Sequence, residues 1–546
     1  MRNPRYLTLA ALSLLSLNSC GTDSDSGQVS QDTGVAPTTP VAPTEPPASG
    51  SRSDTATQAK ASNHPVISVS RETTWVLEPL DDRGRIDFIA ALNRGKQPVK
   101  AEENAALALV EVLGSGFEDE GFHQEFVLQI GGAQNLLMQT ESLLEQSVYA
   151  DKHRIEPPDK FFDQCAEASS RPWTAAEFPQ VHRWLQSCES DMDACVDALR
   201  RPQYYYPLVD SLDEETSKFC SPLTGVLLPL PQKCRGVARA LTARAMQRTG
   251  EGNIQGARED VLAVFCLGRF VGQGPTLIEC LVGIAIESIA QECAIELLNS
   301  GRLDVAATST LEADLVALPP PTTVKEKVRL GERLTALDLA IAMADHGPGV
   351  LSMISNISLP DQQMDASSID WDTTLRTINQ WYDRLEIAIG KPTFSERVAA
   401  VESLNESLNR AAKSEVLELV RIFQGASGDA TASGKRLGDF ISALTVPGCG
   451  PPHVAETRLR SRRNLLMLAI RLHQHRLRNG DFPESLPAAE GKQLVDLYTE
   501  EQLVYRLGSD ACKLYSRGPN QRDDGGPARI DGATSDDVGF ELVQTN

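Results

Sequence analysis

The apolar residues in the centre of this chain recur at the spacing of buried helix faces. Leu330, Leu334, Leu337 and Ile341 stand four, three and four residues apart, which is typical of one buried face. Similar stretches follow one another from residue 232 to 448 with short glycine or proline breaks. The pattern predicts helices at residues 234–249, 254–271, 276–299, 303–318, 324–344, 368–389 and 395–423.

The regions on either side of this helical segment have a different pattern. Residues 65–231 combine loops with short helices, predicted at 101–113 and 178–188. From residue 451 onward, a helix at 455–478 is followed by strand candidates at residues 503–507, 513–516 and 538–543. We therefore predict a mainly α-helical protein in three folded parts, at 65–231, 232–448 and 451–546, of which the last is a small α+β domain.

Two of the breaks between central helices share one pattern. Gly252 to Ala257 and Gly301 to Ala306 both read Gly-x-aliphatic-x-x-Ala. This resembles the tight interhelix turn of tetratricopeptide hairpins, although the two turns are 49 residues apart and not the 34 of a regular array. The resemblance implies stacked helical hairpins, either a true tetratricopeptide fold or a looser, tetratricopeptide-like stack.

The first 20 residues have the features of an export signal. A basic start is followed by an apolar stretch at residues 6–17, which is too short to span a bilayer. The stretch ends in Leu17-Asn18-Ser19-Cys20, which resembles a bacterial lipobox. The resemblance implies that Cys20 carries lipid and anchors the protein to a membrane of the cell envelope. The alternative is a cleaved signal peptide beside an incidental cysteine.

Composition fits this extracytoplasmic setting. Residues 21–64 are rich in Ser, Thr and Pro, which predicts a disordered tether. Gly21, in place of the aspartate that retains lipoproteins at the inner membrane, favours the outer membrane. The formal net charge of −22 argues against nucleic acid as a partner.

Ten of the eleven cysteines remain after Cys20, an even number that predicts disulfides in an oxidising compartment. The expected region for such bonds is the one that holds Cys165, Cys188, Cys195, Cys220 and Cys234.

The C-terminal segment carries a second resemblance. Asn479 to Leu486 reads Asn-Gly-Asp-Phe-Pro-Glu-Ser-Leu after a helix, and Ser516-Arg517-Gly518 leads into a loop rich in Asp and Gly. This order is similar to the globular part of type II secretion major pseudopilins, which implies a calcium site in that loop. Carboxylates and carbonyls are the ligands that calcium prefers. The candidate ligands are Asp523, Asp524, Asp536 and Asp537, and the alternative is a solvated acidic loop without an ion.

Much of residues 70–345 resembles an uncharacterised family of secreted helical proteins of planctomycete-type bacteria. The residues that carry this resemblance are Glu78-Pro79-Leu80-Asp81, residues 87–93, Tyr204-Tyr205-Tyr206-Pro207-Leu208 and residues 274–279. The resemblance implies no activity.

Candidate chemistry is sparse. The chain has neither a Gly-x-Ser-x-Gly nucleophile motif nor a His-Glu-x-x-His zinc motif. Glu279 stands in an apolar helix, where a carboxylate needs a partner or a raised pKa. We expect a buried ion pair with an arginine of the preceding helices, and the alternative is a general acid or base. The candidate arginines are Arg244, Arg248 and Arg269.

These observations favour a lipid-anchored, non-enzymatic scaffold that binds a protein partner on its helical surface. The rival hypothesis is an extracytoplasmic hydrolase with a carboxylate site around Glu279.

Overall fold

The structure is a computed structural model. It describes residues 65–96, 99–132, 136, 138, 142–210, 221–351, 366–412, 421–426, 428–486, 495–527 and 535–543. The predicted signal peptide, the lipid site at Cys20 and the tether at 21–64 lie outside these residues. Residues 65–546 form one compact unit.

The described chain is mainly helical, as the sequence predicts. The N-terminal helices are α1 (Phe88–Asn93), α2 (Ala105–Leu113), α3 (Glu120–Ile130), α4 (Gln146–His153), α5 (Pro158–Ser170), α6 (Pro179–Ser187), α7 (Glu189–Ala198) and α8 (Pro222–Gly225). The central and C-terminal helices are α9 (Pro229–Glu251), α10 (Ile254–Val271), α11 (Leu277–Asn299), α12 (Val305–Ala317), α13 (Val324–Lys327), α14 (Arg333–His346), α15 (Trp371–Ile389), α16 (Phe394–Ala411), α17 (Ala430–Thr445) and α18 (Pro452–Asn479).

The predicted helix at 254–271 has these bounds in the structure, because both of its ends are marked in the sequence. Asn253 caps the first turn by accepting a hydrogen bond from the Gly256 amide, and the helix ends before Gly272. The predicted helix at 324–344 is interrupted instead by a π-helical turn at Val328–Glu332, which separates α13 from α14.

The sequence did not predict α17, which follows a Gly/Ser-rich loop. Its glycines obscure a helical pattern, yet they are required for packing against α15 and the residue before it. A Cβ atom at Gly434 would lie 2.2 Å from the Asp370 carbonyl oxygen, and one at Gly438 would lie 2.6 Å from Thr377 Cβ. Glycine therefore allows the two helix backbones to approach closely.

The three predicted strands form one antiparallel sheet in the order β1 (Val504–Leu507), β2 (Ala511–Ser516), β3 (Val538–Val543). Leu514 stands opposite Tyr505 on one side and Phe540 on the other. The sheet is fixed to α18 because Arg476 donates a 2.8 Å hydrogen bond to the Val543 carbonyl oxygen.

Two clusters of buried apolar residues hold the unit together. The larger cluster joins α2 to α7, α9 to α12, α18 and the sheet. The second joins α1 with α13 to α17. Both clusters combine residues from more than one of the three parts predicted from the sequence, and that division stays a prediction. The tetratricopeptide-like stacking also stays a prediction. Of the helices described, none is long and apolar enough to cross a membrane.

The predicted disulfides are wrong for the cysteines that the structure describes. Cys165, Cys188, Cys195 and Cys234 are buried free thiols, and Cys220 lies outside the described residues. Each of the four thiols fills a position in the helical core, where cysteine acts as a small apolar side chain.

Candidate functional site: an acidic cavity between α1 and α14

A cavity of about 710 Å³ lies between α1 and α14. This volume falls in the range of ordinary small-molecule sites. One side is formed by residues 79–94 and the opposite side by residues of α14 from Asp338 to His346. Glu125 and Gln129 of α3, Asp210 and Pro222 complete the described lining. The cavity therefore brings together parts of the chain about 250 residues apart.

The loop before α1 is shaped by its own aspartates. Asp81 Oδ1 accepts hydrogen bonds from the backbone amides of Arg83 at 2.9 Å and Arg85 at 2.8 Å. Asp87 then caps α1, since its Oδ1 accepts a hydrogen bond from the Ala90 amide at 2.8 Å. Arg85 joins the loop to α14 through a 3.0 Å ion pair with Asp345. These contacts fix one wall of the cavity against the other.

Asp338 is the most deeply buried acidic residue of the lining, at 7 % exposure. Its Oδ2 accepts a 2.8 Å hydrogen bond from the Leu223 amide at the start of α8. Burial raises the pKa of Asp338 to about 7, and the carboxylates of Asp210 and Asp87 add to the rise. Hydrogen bonds from the Leu223 amide and the Ser221 side chain oppose this effect. Asp338 thus titrates near neutral pH.

The charges around the cavity do not balance. Each lining arginine has an acidic partner, Asp81 for Arg83, Asp345 for Arg85 and Glu78 for Arg94. Asp87 and Asp338, by contrast, accept backbone hydrogen bonds but form no ion pair with any described residue. The described lining therefore has an excess of negative charge.

The sequence did not lead to Asp338 as a site residue, although it contains an indication of it. Asp338 stands between Leu337 and Leu339 in an apolar helix, in the same way that Glu279 stands out in α11. The local sequence does not show that Asp338 lines a cavity, because the opposite wall comes from residues 79–94.

Glu279 is fully buried and belongs to a capping box at the start of α11. Its Oε2 accepts hydrogen bonds from the Thr276 amide at 3.1 Å and the Thr276 hydroxyl at 2.8 Å. Glu332 caps the same helix end by accepting a 3.1 Å hydrogen bond from the Leu277 amide. Glu279 does not line the cavity between α1 and α14.

The arginine partner predicted for Glu279 is wrong. Arg244 and Arg248 both pair with Asp260, at 2.7 and 2.9 Å. Arg269 pairs with Glu287 at 2.6 Å, in a buried contact beside a smaller cavity of about 250 Å³. These arginines face other acids on neighbouring helices, whereas the Glu279 carboxylate turns back onto its own helix end.

The four aspartates proposed as calcium ligands have different partners. Asp523 accepts hydrogen bonds from Tyr515 at 2.8 Å and Arg506 at 2.6 Å. Asp537 is 4 % exposed, and its Oδ2 accepts hydrogen bonds from the backbone amides of Asp524 and Gly526. Asp523 and Asp537 thus accept hydrogen bonds from different groups.

Within the same loop, Asp537 Oδ1 is buried without a hydrogen bond. Asp524 Oδ2 accepts a 3.1 Å hydrogen bond from the Asp536 amide. Across the described residues, no three side chains of His, Cys, Asp or Glu are placed to share a metal ion. The calcium site at Asp523, Asp524, Asp536 and Asp537 stays a prediction.

Comparison of the chain with protein-family models, with curated proteins and with solved structures gave no match. The resemblances to planctomycete-type secreted proteins and to pseudopilins therefore rest on the residues quoted for them above.

Proposed function

We propose that this chain is a lipid-anchored binding protein of the cell envelope that takes a small ligand in the cavity between α1 and α14. The observation that carries the proposal is the cavity itself, with its volume of about 710 Å³ and a buried carboxyl group in its wall. Cavities of this size with a few converging polar groups are typical ligand sites.

The composition of the lining favours binding over covalent chemistry. Among the described residues that line the cavity, none is a serine, threonine or cysteine that could act as a nucleophile. Its apolar part is formed largely by Ile86, Phe88, Ile89, Ile341 and Ala342. Such a surface holds the hydrocarbon part of a ligand, while the carboxyl groups orient its polar part.

The rest of the proposal concerns placement. Lipid on Cys20 holds the protein at the outer membrane, and residues 21–64 form the tether. The folded unit of helices, stacked in tetratricopeptide-like hairpins, also offers a surface to a protein partner.

Two contacts hold the start of this unit. Arg85 donates a 2.9 Å hydrogen bond to the Pro65 carbonyl oxygen, and the Ser68 amide donates one to Asp372.

Binding is tested with four probes of different chemistry, namely cadaverine, glutarate, glucose and adenosine. Isothermal titration calorimetry on the full chain should show saturable binding of at least one probe with one site per chain. Ala90→Trp places a large ring at the cavity wall and should abolish that binding. Ala91→Trp is the matched control on the same helix, because Ala91 does not line the cavity.

Two results would overturn the proposal. One is the failure of all four probes to bind the wild-type chain at millimolar concentration. The other is chemical conversion of a bound probe, seen by mass spectrometry after prolonged incubation, because this would make the protein an enzyme.

The rival hydrolase hypothesis at Glu279 has no comparable support. The Glu279 carboxylate already accepts two hydrogen bonds from Thr276, and neither described cavity reaches it. A general acid or base must lie within hydrogen-bonding reach of its substrate.

A further inference from the structure

The Asp338 carboxyl group is more than nine-tenths buried and lines the cavity without a cationic partner among the described residues. Transfer of an isolated carboxylate from water into a protein is costly unless another charge compensates it. The Leu223 amide and the Ser221 hydroxyl compensate only in part, because both are neutral donors. No described residue therefore forms an ion pair with Asp338.

The three arginines of the described cavity lining are already paired. Arg85 is held by Asp345, Arg83 by Asp81 and Arg94 by Glu78. Moving any of these guanidinium groups to Asp338 would break an existing ion pair. A cation that enters from solvent could bind next to Asp338 without breaking an ion pair.

The cavity is suited to an organic cation. No group of three His, Cys, Asp or Glu side chains in the described chain is placed to hold a metal ion. The volume of about 710 Å³ also exceeds the space that a coordinated ion occupies. Ile89 and Ile341, at 9 % and 8 % exposure, give the lining an aliphatic surface against which a hydrocarbon chain would pack.

We infer that the ligand of this cavity carries an alkylammonium group, which binds between Asp338 and Asp87 while its hydrocarbon chain lies against Ile89 and Ile341. This inference rests on the proposed binding function and adds the chemical class of the ligand. An ammonium group has three donors, which suits two carboxylates that each keep acceptor positions beside their backbone hydrogen bonds. The same group could come from a free amine or from the lysine side chain of a peptide.

Several other charged groups face the cavity and set the field at Asp338. They come from the loop before α1, from the residue after α1, from α3, from the segment that ends at residue 210 and from the end of α14: Asp81, Arg83, Arg85, Asp87, Arg94, Glu125, Asp210, Asp345 and His346. Ion pairs hold each of the three arginines with an acid, so ionisation of Asp338 adds a negative charge close to Asp87 and Asp210. Binding of a cation should therefore strengthen as Asp338 loses its proton.

The test compares probes of equal length and different charge on the full chain. Cadaverine, 1,5-pentanediol and glutarate share a five-carbon chain and differ in their end groups. Cadaverine should bind at least tenfold more tightly than the other two. The fourth probe is Nα-acetyl-lysine amide, which presents a lysine side chain as it occurs in a peptide. Comparison of its affinity with that of cadaverine shows whether the alkylammonium group comes from a peptide side chain or from a free amine.

The variants are designed to remove charge and keep shape. Asp338→Asn and Asp87→Asn retain an oxygen that accepts the Leu223 and Ala90 hydrogen bonds, and each should weaken cadaverine binding at least tenfold. Asp197→Asn removes an exposed carboxylate of α7 and should leave the affinity unchanged. Because the pKa of Asp338 is about 7, the affinity should rise about tenfold from pH 6 to pH 8 in the wild type and not in Asp338→Asn.

The outcomes separate this inference from the proposed function. Tight binding of 1,5-pentanediol or glutarate that Ala90→Trp abolishes would keep the binding function and overturn the alkylammonium inference. Cadaverine binding that is unchanged in both asparagine variants would also overturn it. The absence of binding by every probe would overturn both proposals.

Discussion

The guanidinium group of Arg333 lies 3.8 Å from the centre of the Trp75 ring. Arg333 is fully buried at the start of α14, and it pairs with Asp383 of α15 at 2.7 Å. Trp75 belongs to the first folded segment of the chain. The contact therefore joins this segment to the two helices on which it lies, and a buried cation on an aromatic face stabilises such a junction.

We expect Trp75→Ala to lower the free energy of unfolding by about 2 to 3 kcal/mol, because it removes apolar burial and the contact with Arg333. Urea unfolding measures this change. Trp75→Phe retains a ring over Arg333 and should lower the free energy of unfolding by less than half as much. Equal losses in the two variants would show that the aromatic contact contributes little.

Thr276→Ala should lower the free energy of unfolding by about 1 kcal/mol, since it removes one half of the capping box of α11. Thr276→Ser keeps the hydroxyl and is the control. The loss should be smaller when Glu279 is also alanine, because the hydrogen bond from the Thr276 hydroxyl to the Glu279 carboxylate needs both side chains. It should not disappear, because the backbone amide of residue 279 still donates to the Thr276 hydroxyl. Full additivity of the two losses would contradict the capping role of Glu279.

Stability should depend on pH through Asp338. Its pKa is about 7 in the folded protein against an ordinary value of 3.8, so the folded state holds the proton more tightly than the unfolded state. The free energy of unfolding should therefore fall as the pH rises from about 4 to 7, by an amount on the order of 4 kcal/mol. Urea unfolding at pH 5 and pH 8 should show a smaller fall for Asp338→Asn than for the wild type.

The described thiols should react slowly in the folded protein. Burial raises the pKa of Cys188 and Cys195 to about 12, which leaves about one thiol in ten thousand ionised at pH 8. Cys266 is half-buried with a pKa raised to about 11, and it should be modified first by iodoacetamide. The experiment uses a chain in which Cys20 and Cys220 are both serine, and peptide mass spectrometry identifies the sites. Rapid modification of Cys195 without unfolding would contradict the buried placement.

Calcium should raise the melting temperature of the full chain if the C-terminal loop binds it. Binding to the folded form alone would add about 2.7 kcal/mol at a hundredfold excess over the dissociation constant. Asp537→Asn should remove the gain because it removes the charge of the buried carboxylate. Asp510→Asn, in the turn between β1 and β2, is the control. Equal melting temperatures in calcium and in chelator would leave this loop an ordinary acidic segment.

Local structure was largely determined by the sequence. Apolar spacing between glycine or proline breaks predicts α10 with its correct ends, and short strand candidates that follow turn signals predict the three strands. Each of these signals depends on residues close together in the chain. The sequence pattern did not indicate α17, because Gly434 and Gly438 lower the local helical propensity. These glycines allow close packing against α15, a helix far away in the chain.

The tertiary structure alone decided which charged groups meet. The sequence shows Glu279, Arg244 and Arg269 as buried charges, but it does not show that Asp260 and Glu287 take the arginines. It also does not show that Asp338 faces Asp87 across a cavity. The reason is physical: periodicity records which face of a helix is buried, whereas an ion pair or a cavity depends on distances between helices that the packing of the whole core sets.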